Sequence, residues 1–180
     1  MFLRKIILYI SMSLDGYLAD ANYGVSFLEG DGSSPNDTGT YQSFIDKIDA
    51  VIMGYRTYRQ VQTDLSPGVW PYEKQHTYVL THKNLADVSN IKFINAPSIE
   101  FFNCLKTQKG KDVFLCGGAE IVKYCYELGV IDEFRIAIIP VILGNGIKLF
   151  LPTNSQTKLS LEEVITYNGI TEIIYLKKEV

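Results

Sequence analysis

Val113-Phe-Leu-Cys-Gly-Gly-Ala-Glu-Ile-Val122 decides the reading of this chain. A short apolar run ends at Gly117-Gly118 and a helical pattern begins at once, with Ile121, Val122, Cys125 and Leu128 at helical spacing. A buried strand therefore turns through two glycines into a helix with one buried face. Glycine lets a backbone approach a ligand closely, and a helix N-terminus offers unpaired N–H groups and the positive end of its dipole. That combination holds a nucleotide pyrophosphate. It also serves as a plain tight turn, so other strand ends must decide between the two.

The same alternation extends in both directions. Lys5–Met12 is β-rich and apolar almost throughout, as a central strand is. Asp49–Gly54, Thr77–Thr81, Ile91–Ile94 and Glu133–Ile139 read as further strands, the last stopped by Pro140. Tyr41, Phe44, Ile45 and Ile48 fall at i, i+3, i+4 and i+7, which predicts one amphipathic helix. Tyr55–Gln62 also reads as helical, and Asn95-Ala-Pro-Ser98 signals a helix start before Ile99, Phe102 and Leu105. Near the C-terminus, Lys158–Thr166 and Thr171–Lys177 flank Tyr167-Asn-Gly169, a hairpin signal. The pattern predicts a single α/β domain over residues 1–180, its sheet mostly parallel with antiparallel strands at the C-terminal edge. From Asp15 to about Asp37 runs a polar loop with turn chemistry, long enough to read as a lid or binding loop.

Composition bounds the partners. The 180 residues are 47% hydrophobic and 21% charged, ordinary for a soluble globular domain. A net charge of -3 with no basic face argues against nucleic acid. The apolar N-terminal run is broken by Ser11, Ser13 and Asp15, too early for a signal core or a membrane span, so the cytoplasm is the expected location. Three cysteines (Cys104, Cys116, Cys125) lie in apolar stretches and read as core residues. The two histidines, His76 and His82, are too isolated for zinc, and no metal is expected.

Two further strand ends support the pyrophosphate reading. In Val51-Ile-Met-Gly-Tyr-Arg-Thr-Tyr58 a buried strand runs into Gly54, and a helix opens with Arg56 and Thr57. A glycine, a guanidinium and a hydroxyl at a helix start suit a phosphate; equally, Thr57 can cap the helix with Arg56 solvated. Tyr78-Val-Leu-Thr-His-Lys83 is a strand ending in Thr, His and Lys. Open α/β sheets bind ligands beyond the carboxyl ends of their strands, and here several such ends carry phosphate-compatible groups.

Taken in order, Ser13-Leu-Asp-Gly-Tyr-Leu-Ala19, Val51–Tyr58, Tyr78–Thr81, Phe114–Glu120 and Ile139-Pro-Val-Ile-Leu-Gly-Asn-Gly146 resemble the dihydrofolate reductase-like superfamily. Within it they are most similar to the C-terminal reductase domain of bacterial bifunctional riboflavin-biosynthesis deaminase-reductases, from about Lys5 to Tyr175. The resemblance implies a three-layer fold that binds NADPH, or alternatively NADH, in extended form across its strand ends. Gly54, Arg56, Thr57, Gly117, Gly118, Ala119, Glu120 and Ile121 would then hold the pyrophosphate. Leu80, Thr81 and His82 would lie along the adenosine end, and Leu18 and Ala19 would approach the nicotinamide. Hydride would pass to a small heterocycle of the pterin or ribosylaminopyrimidine type, as in 5-amino-6-(5-phosphoribosylamino)uracil reductases, with the cofactor carrying the chemistry.

The chain departs from that pattern at several places. Tyr55 stands where relatives carry an arginine that serves the 2′-phosphate, leaving Arg56, His82 or Lys83 to compensate. Val69-Trp70 follows Pro67-Gly68 where folate reductases carry a carboxylate-pairing arginine, and Ser26-Phe27 replaces an Asp-Trp pair. No His-x-Glu with Pro-Cys-x-x-Cys precedes the reductase motifs, so a free-standing reductase-like domain is expected. A dihydrofolate reductase and a nucleotide-binding protein without catalysis are the alternative readings. Asp37, ahead of the Tyr41 helix, is a candidate proton donor if half-buried with a raised pKa, or else an N-cap. Asp15 either lines the pocket or belongs to a turn with Gly16, while Phe27 and Tyr41 are placed to stack on a planar substrate. Ile165, Ile173, Ile174, Tyr175 and Leu176 give the C-terminal strands more apolar surface than one buried face needs, which predicts an isologous homodimer there.

Overall fold

The computed structural model describes residues 3–154 and 156–178. Its strands are β1 (Ile6–Ser13), β2 (Tyr17–Ala19), β3 (Ile48–Gly54), β4 (His76–Leu80), β5 (Ile91–Ile94), β6 (Asp112–Gly117), β7 (Glu133–Ile139), β8 (Ile147–Lys148), β9 (Leu159–Tyr167) and β10 (Ile170–Lys177). Eight of them form one sheet in the order β5-β4-β3-β6-β1-β7-β10-β9, and β2 pairs with β8. The first six in that order run parallel. β10 is antiparallel to both β7 and β9. The mostly parallel sheet with an antiparallel C-terminal hairpin is thus as the sequence predicts.

Helices cover both faces, which is why β1 is apolar almost throughout. On one face, Phe102 and Leu105 of α3 (Ile99–Thr107) and Val122 and Cys125 of α4 (Ala119–Glu127) pack with Ile6, Leu8, Leu115 and Ile136. On the other, Phe44 of α1 (Tyr41–Ile45) and Tyr58 of α2 (Tyr55–Gln60) pack with Ile7, Tyr9, Val51, Met53 and Phe114. Successive residues of β1 alternate between the two cores, as the period of a strand requires.

Three local expectations need correcting. The Tyr41 helix is only five residues long, and Ile48 opens β3 instead of closing the helix. Its i+7 spacing is a coincidence of two elements each burying an apolar side chain. The loop after Asp15 is not bare, because Tyr17–Ala19 pairs with Ile147–Lys148. Cys104 is exposed on the wet side of α3, whereas Cys125 is buried and Cys116 lies between these extremes.

The hairpin turn has Asn168 and Gly169 both in left-handed backbone, with φ of 45 and 74. The long loop docks on it. Asp31 N–H donates to the Asn168 carbonyl at 3.0 Å and Ser34 N–H to Asn168 Oδ1 at 3.1 Å.

Gly54 sets the distance between the end of β3 and the first turn of α4. A Cβ there would lie 2.9 Å from Ile121 Cγ1, closer than real Cβ contacts come. Gly54→Ala is therefore expected to destabilise the fold by about 1–3 kcal/mol, as overpacking does. Adding Ile121→Ala should return part of that loss, because the two positions touch. Denaturant titration of the single and double variants checks this; strictly additive losses would refute it.

Candidate functional site

The carboxyl ends of β1, β3, β4 and β6 converge where the sequence predicts a cofactor. Gly118 is the N-cap of α4 and has no side chain to cap it, so first-turn N–H groups of Ala119 and Glu120 face out of the helix end. The Gly117-Gly118 peptide is cis. A Cβ on Gly118 would meet only Thr57 Oγ1 at 3.5 Å and Leu18 Cδ2 at 3.8 Å. Three segments distant in sequence thus border one small space that a side chain at 118 would fill. A hydroxyl, an apolar side chain and a helix N-terminus around it fit a dinucleotide's phosphates and the adjoining ring, and Gly54 and Ile121 fix the helix end in place.

Other expected residues divide. Thr57 makes no capping bond, since Gly54 is the N-cap of α2, so the capping alternative fails and its hydroxyl borders the cradle. Arg56 is exposed and stacks 4.0 Å above the Tyr23 ring, whose carbonyl also accepts from Gln60 Nε2 at 2.9 Å. This guanidinium ties the loop to α2. Leu80 commits its side chain to the core, leaving Thr81, His82 and Lys83 as the groups at that strand end. Lys83 Nζ lies 4.2 Å above the ring of Tyr55, which sets a cation beside that position. Ala19 is buried, and Glu120 points to solvent.

The acid candidates do not hold as expected. Asp37 is exposed and accepts from Gly39 N–H at 3.0 Å, in a local turn. The N-cap of α1 is Thr40, so Asp37 is neither half-buried nor a cap. Asp15 is exposed as well and braces two loops. It accepts from Ser13 Oγ–H at 2.7 Å, Leu143 N–H at 3.1 Å and Gly144 N–H at 2.7 Å. The Ser13 hydroxyl first, then the two backbone N–H groups, hold its carboxyl below the usual range. Phe27 is half-buried against Ala137, Ile139 and Ile170, where its ring finds apolar neighbours. Tyr41 keeps 41% of its surface exposed, at the rim of the α1 face.

Residues missed by the sequence reading cluster on that same face. The Tyr72 hydroxyl lies 3.5 Å from that of Tyr41 and 4.0 Å from Cys116 Sγ. Burial pushes both tyrosines above their ordinary pKa and the Cys116 thiol up to about 11. Glu172 is fully buried and accepts from Tyr9 O–H at 2.9 Å and Thr40 Oγ–H at 2.8 Å. No motif marks Tyr72. Glu172 had a signal: it shares an inward strand face with Ile170 and Ile174.

A hollow of about 240 Å³ lies instead among Lys123, Tyr126, Phe134, Phe150 and Leu159, near the start of β7. It lies apart from the strand ends that carry Thr57 and Gly118. Among the described residues no helix is long and apolar enough to cross a membrane. Nor does any group of three His, Cys, Asp or Glu among them have metal-binding geometry.

Fold and cradle together define a domain of the dihydrofolate reductase kind. One such structure is dihydrofolate reductase from Enterococcus faecalis complexed with NADP(H) and RAB-propyl, 13% identical, with a TM-score of 0.64 over 99% of this chain and 99% of that chain. The chain belongs to the RibD C-terminal domain family, which it matches over residues 4–173. It is 36% identical over 178 residues to the uncharacterized protein YwjB of Bacillus subtilis (strain 168), covering 97% of this chain and 98% of the relative. The diaminohydroxyphosphoribosylaminopyrimidine deaminase/5-amino-6-(5-phosphoribosylamino)uracil reductase of Thermotoga maritima is 15% identical with a TM-score of 0.68, over 98% of this chain and 57% of that one.

Asp15 generates a pH prediction. A carboxyl with a lowered folded pKa contributes stability that is complete above the unfolded value of about 3.9 and is lost as pH falls through the folded one. Asp15→Asn should therefore be less stable than the wild type at neutral pH, with the gap closing in strong acid. Equal stability of the two proteins at pH 7 would show that the brace contributes nothing.

Proposed function

We propose that this chain is an NADPH-dependent reductase that delivers hydride to a small heterocycle of the pterin or ribosylaminopyrimidine type. One observation carries the reading: the space beside Gly118, bordered by Thr57 and Leu18, at the N-terminus of α4. The named reductase activity of the Thermotoga protein and the NADP(H) of the Enterococcus structure support it. Gly117–Ile121 and Thr57 would receive the pyrophosphate, with Leu18 and Ala19 toward the nicotinamide. Thr81, His82 and Lys83 would receive the adenosine end, Lys83 facing the 2′-phosphate from its seat on Tyr55. The bound cofactor supplies the hydride; the protein fixes its face and keeps water from the transfer. Against a folate substrate stands the turn after Pro67-Gly68, where Val69 is exposed and the Trp70 indole donates to Thr77 at 3.3 Å.

Calorimetry tests the cradle directly. The added methyl of Gly118→Ala meets only ordinary contacts within the protein yet occupies the proposed pyrophosphate space. It should weaken NADPH binding about ten-fold or more, and unchanged affinity in a folded variant would remove the reading. Lys83→Ala should weaken NADPH about ten-fold while sparing NADH, since a charge-assisted contact contributes about 1.5–3 kcal/mol. Equal loss for both cofactors would move Lys83 away from the 2′-phosphate. NADPH oxidation screened over pterins, dihydrofolate and 5-amino-6-(5-phosphoribosylamino)uracil identifies the acceptor.

We also propose that two copies pair through the C-terminal strands. The register of β9 slips against Ile174/Tyr175, so Val164 pairs with Ile173 and Leu161 with Tyr175. That slip brings Leu161 and Val164, 57% and 51% exposed, onto one face of the sheet. An apolar face of this kind suits an isologous contact. Light scattering at micromolar concentration should give a dimer mass, lowered by Val164→Lys; a monomeric wild type would end the proposal.

A further inference from the structure

Hydride transfer to a C=N or C=O group needs a proton for the neighbouring heteroatom, and the two carboxylates that the sequence offered for it, Asp37 and Asp15, are exposed and engaged in turns. We propose that the proton comes from a neutral hydroxyl pair, Tyr72 backed by Tyr41, a step that rests on the reductase reading above.

Position is the first argument. Cys116 is the residue before Gly117, on the strand that ends in the cofactor cradle, and Tyr72 sits against it, its hydroxyl 4.0 Å from the thiol. Tyr72 is 7% exposed, with its ring against Trp70 and Phe114 at centroid distances of 5.6 and 6.1 Å. Its hydroxyl is therefore held by a stiff aromatic wall. Tyr41, whose hydroxyl lies 3.5 Å away, is the outer member and reaches solvent. Both contacts are long for hydrogen bonds, as acid–base pairs often are before substrate closes on them.

Charge is the second. Among the described residues no charged side chain hydrogen-bonds either hydroxyl. The titratable neighbours are Cys116 from β6 and Tyr9 from β1, whose ring is 5.9 Å from that of Tyr41. Glu172, the nearby buried carboxylate, is taken up by Tyr9 and Thr40. Burial keeps both tyrosines protonated at neutral pH. Each can give up a proton only to a strong base, and the heteroatom left by hydride addition is one.

The step balances. The electrophilic carbon gains the hydride that the dihydronicotinamide loses, and the π pair moves to the heteroatom. That atom takes the Tyr72 proton, and Tyr72 recovers one from solvent through Tyr41. Two electrons and one solvent proton are consumed, and the nicotinamide is left oxidised.

Tyr72→Phe and Tyr41→Phe keep the rings and remove only the hydroxyls. With NADPH and 5-amino-6-(5-phosphoribosylamino)uracil, Tyr72→Phe should lower kcat about 100-fold, the lower end for general acid catalysis. KM for NADPH should hold, and the wild type should slow in D2O. Tyr41→Phe should lose less and respond differently to D2O. Wild-type kcat in Tyr72→Phe would overturn the proposal. A readout without turnover separates this from failure of the reductase reading: iodoacetamide alkylation of Cys116 in a Cys104→Ser background. The Tyr72 hydroxyl lowers the thiol pKa, so Tyr72→Phe should slow alkylation at mildly alkaline pH. If no acceptor is reduced, the reductase reading fails on its own account. In that case slowed alkylation supports the placement of the Tyr72 hydroxyl against β6 on which the proposal rests, and an unchanged rate overturns it.

Discussion

A carboxylate without solvent exposure constrains this fold more than any other group. Glu172 sits at an inward position of β10, between Ile170 and Ile174. Removing a carboxylate from water costs several kcal/mol unless donors replace the water. Two donors reach it, Tyr9 on β1 and Thr40 at the start of α1, and Arg135 on β7 adds a cation with Nη1 3.9 Å away. Arg135 is shared with Glu133, which also pairs with Lys5. One buried charge therefore ties the antiparallel hairpin to the central parallel strands and fixes the entry of α1. Tyr41 follows Thr40 directly, so the rim of the site is set from beneath the sheet.

The two faces of the strand ends then divide the work. On the α4 side, glycines remove side chains and leave the start of the helix and the Thr57 hydroxyl bordering one small space. On the α1 side, aromatic rings supply a stiff wall with neutral hydroxyls. β6 serves both, since Cys116 points to the tyrosines and Gly117 leads into the cradle. A sheet strand can do this because successive residues face opposite sides. The positive groups, Arg56 and Lys83, are each held over a tyrosine ring instead of a carboxylate, which leaves their charge available to an anion.

What the sequence made legible follows from period and punctuation. Apolar runs such as Ile6–Ile10 and Val51–Met53 are long enough to show their strands, and Asn168-Gly169 named the hairpin turn. Gly54, Thr57 and Gly118 stood out because glycine and hydroxyl at strand-to-helix turns are conspicuous in a sequence, and the structure brings Thr57 beside Gly118. The short α1 was over-extended because Ile48, in the next strand, satisfied helical spacing by chance. Asp37 and Asp15 were over-read for a physical reason: side-chain type shows what a group can do, while burial decides whether it does it. Tyr72 was invisible, since its surroundings arise from contacts 31 and 44 residues away in sequence.

The clamp between the long loop and Asn168 couples two parts of the chain that a diagram would draw separately. The loop bonds to the turn through Asp31 and Ser34, while Phe27 and Leu28 pack on Ile170 and Tyr167. The first part of the loop is held by β8 and α2, while the stretch from Phe27 to Ser34 takes its order from the hairpin. When β9 and β10 fray, these anchors go with them, and loop and hairpin open as one cooperative unit. A protease that senses such openings would then find the loop cut at the rate at which the hairpin breathes.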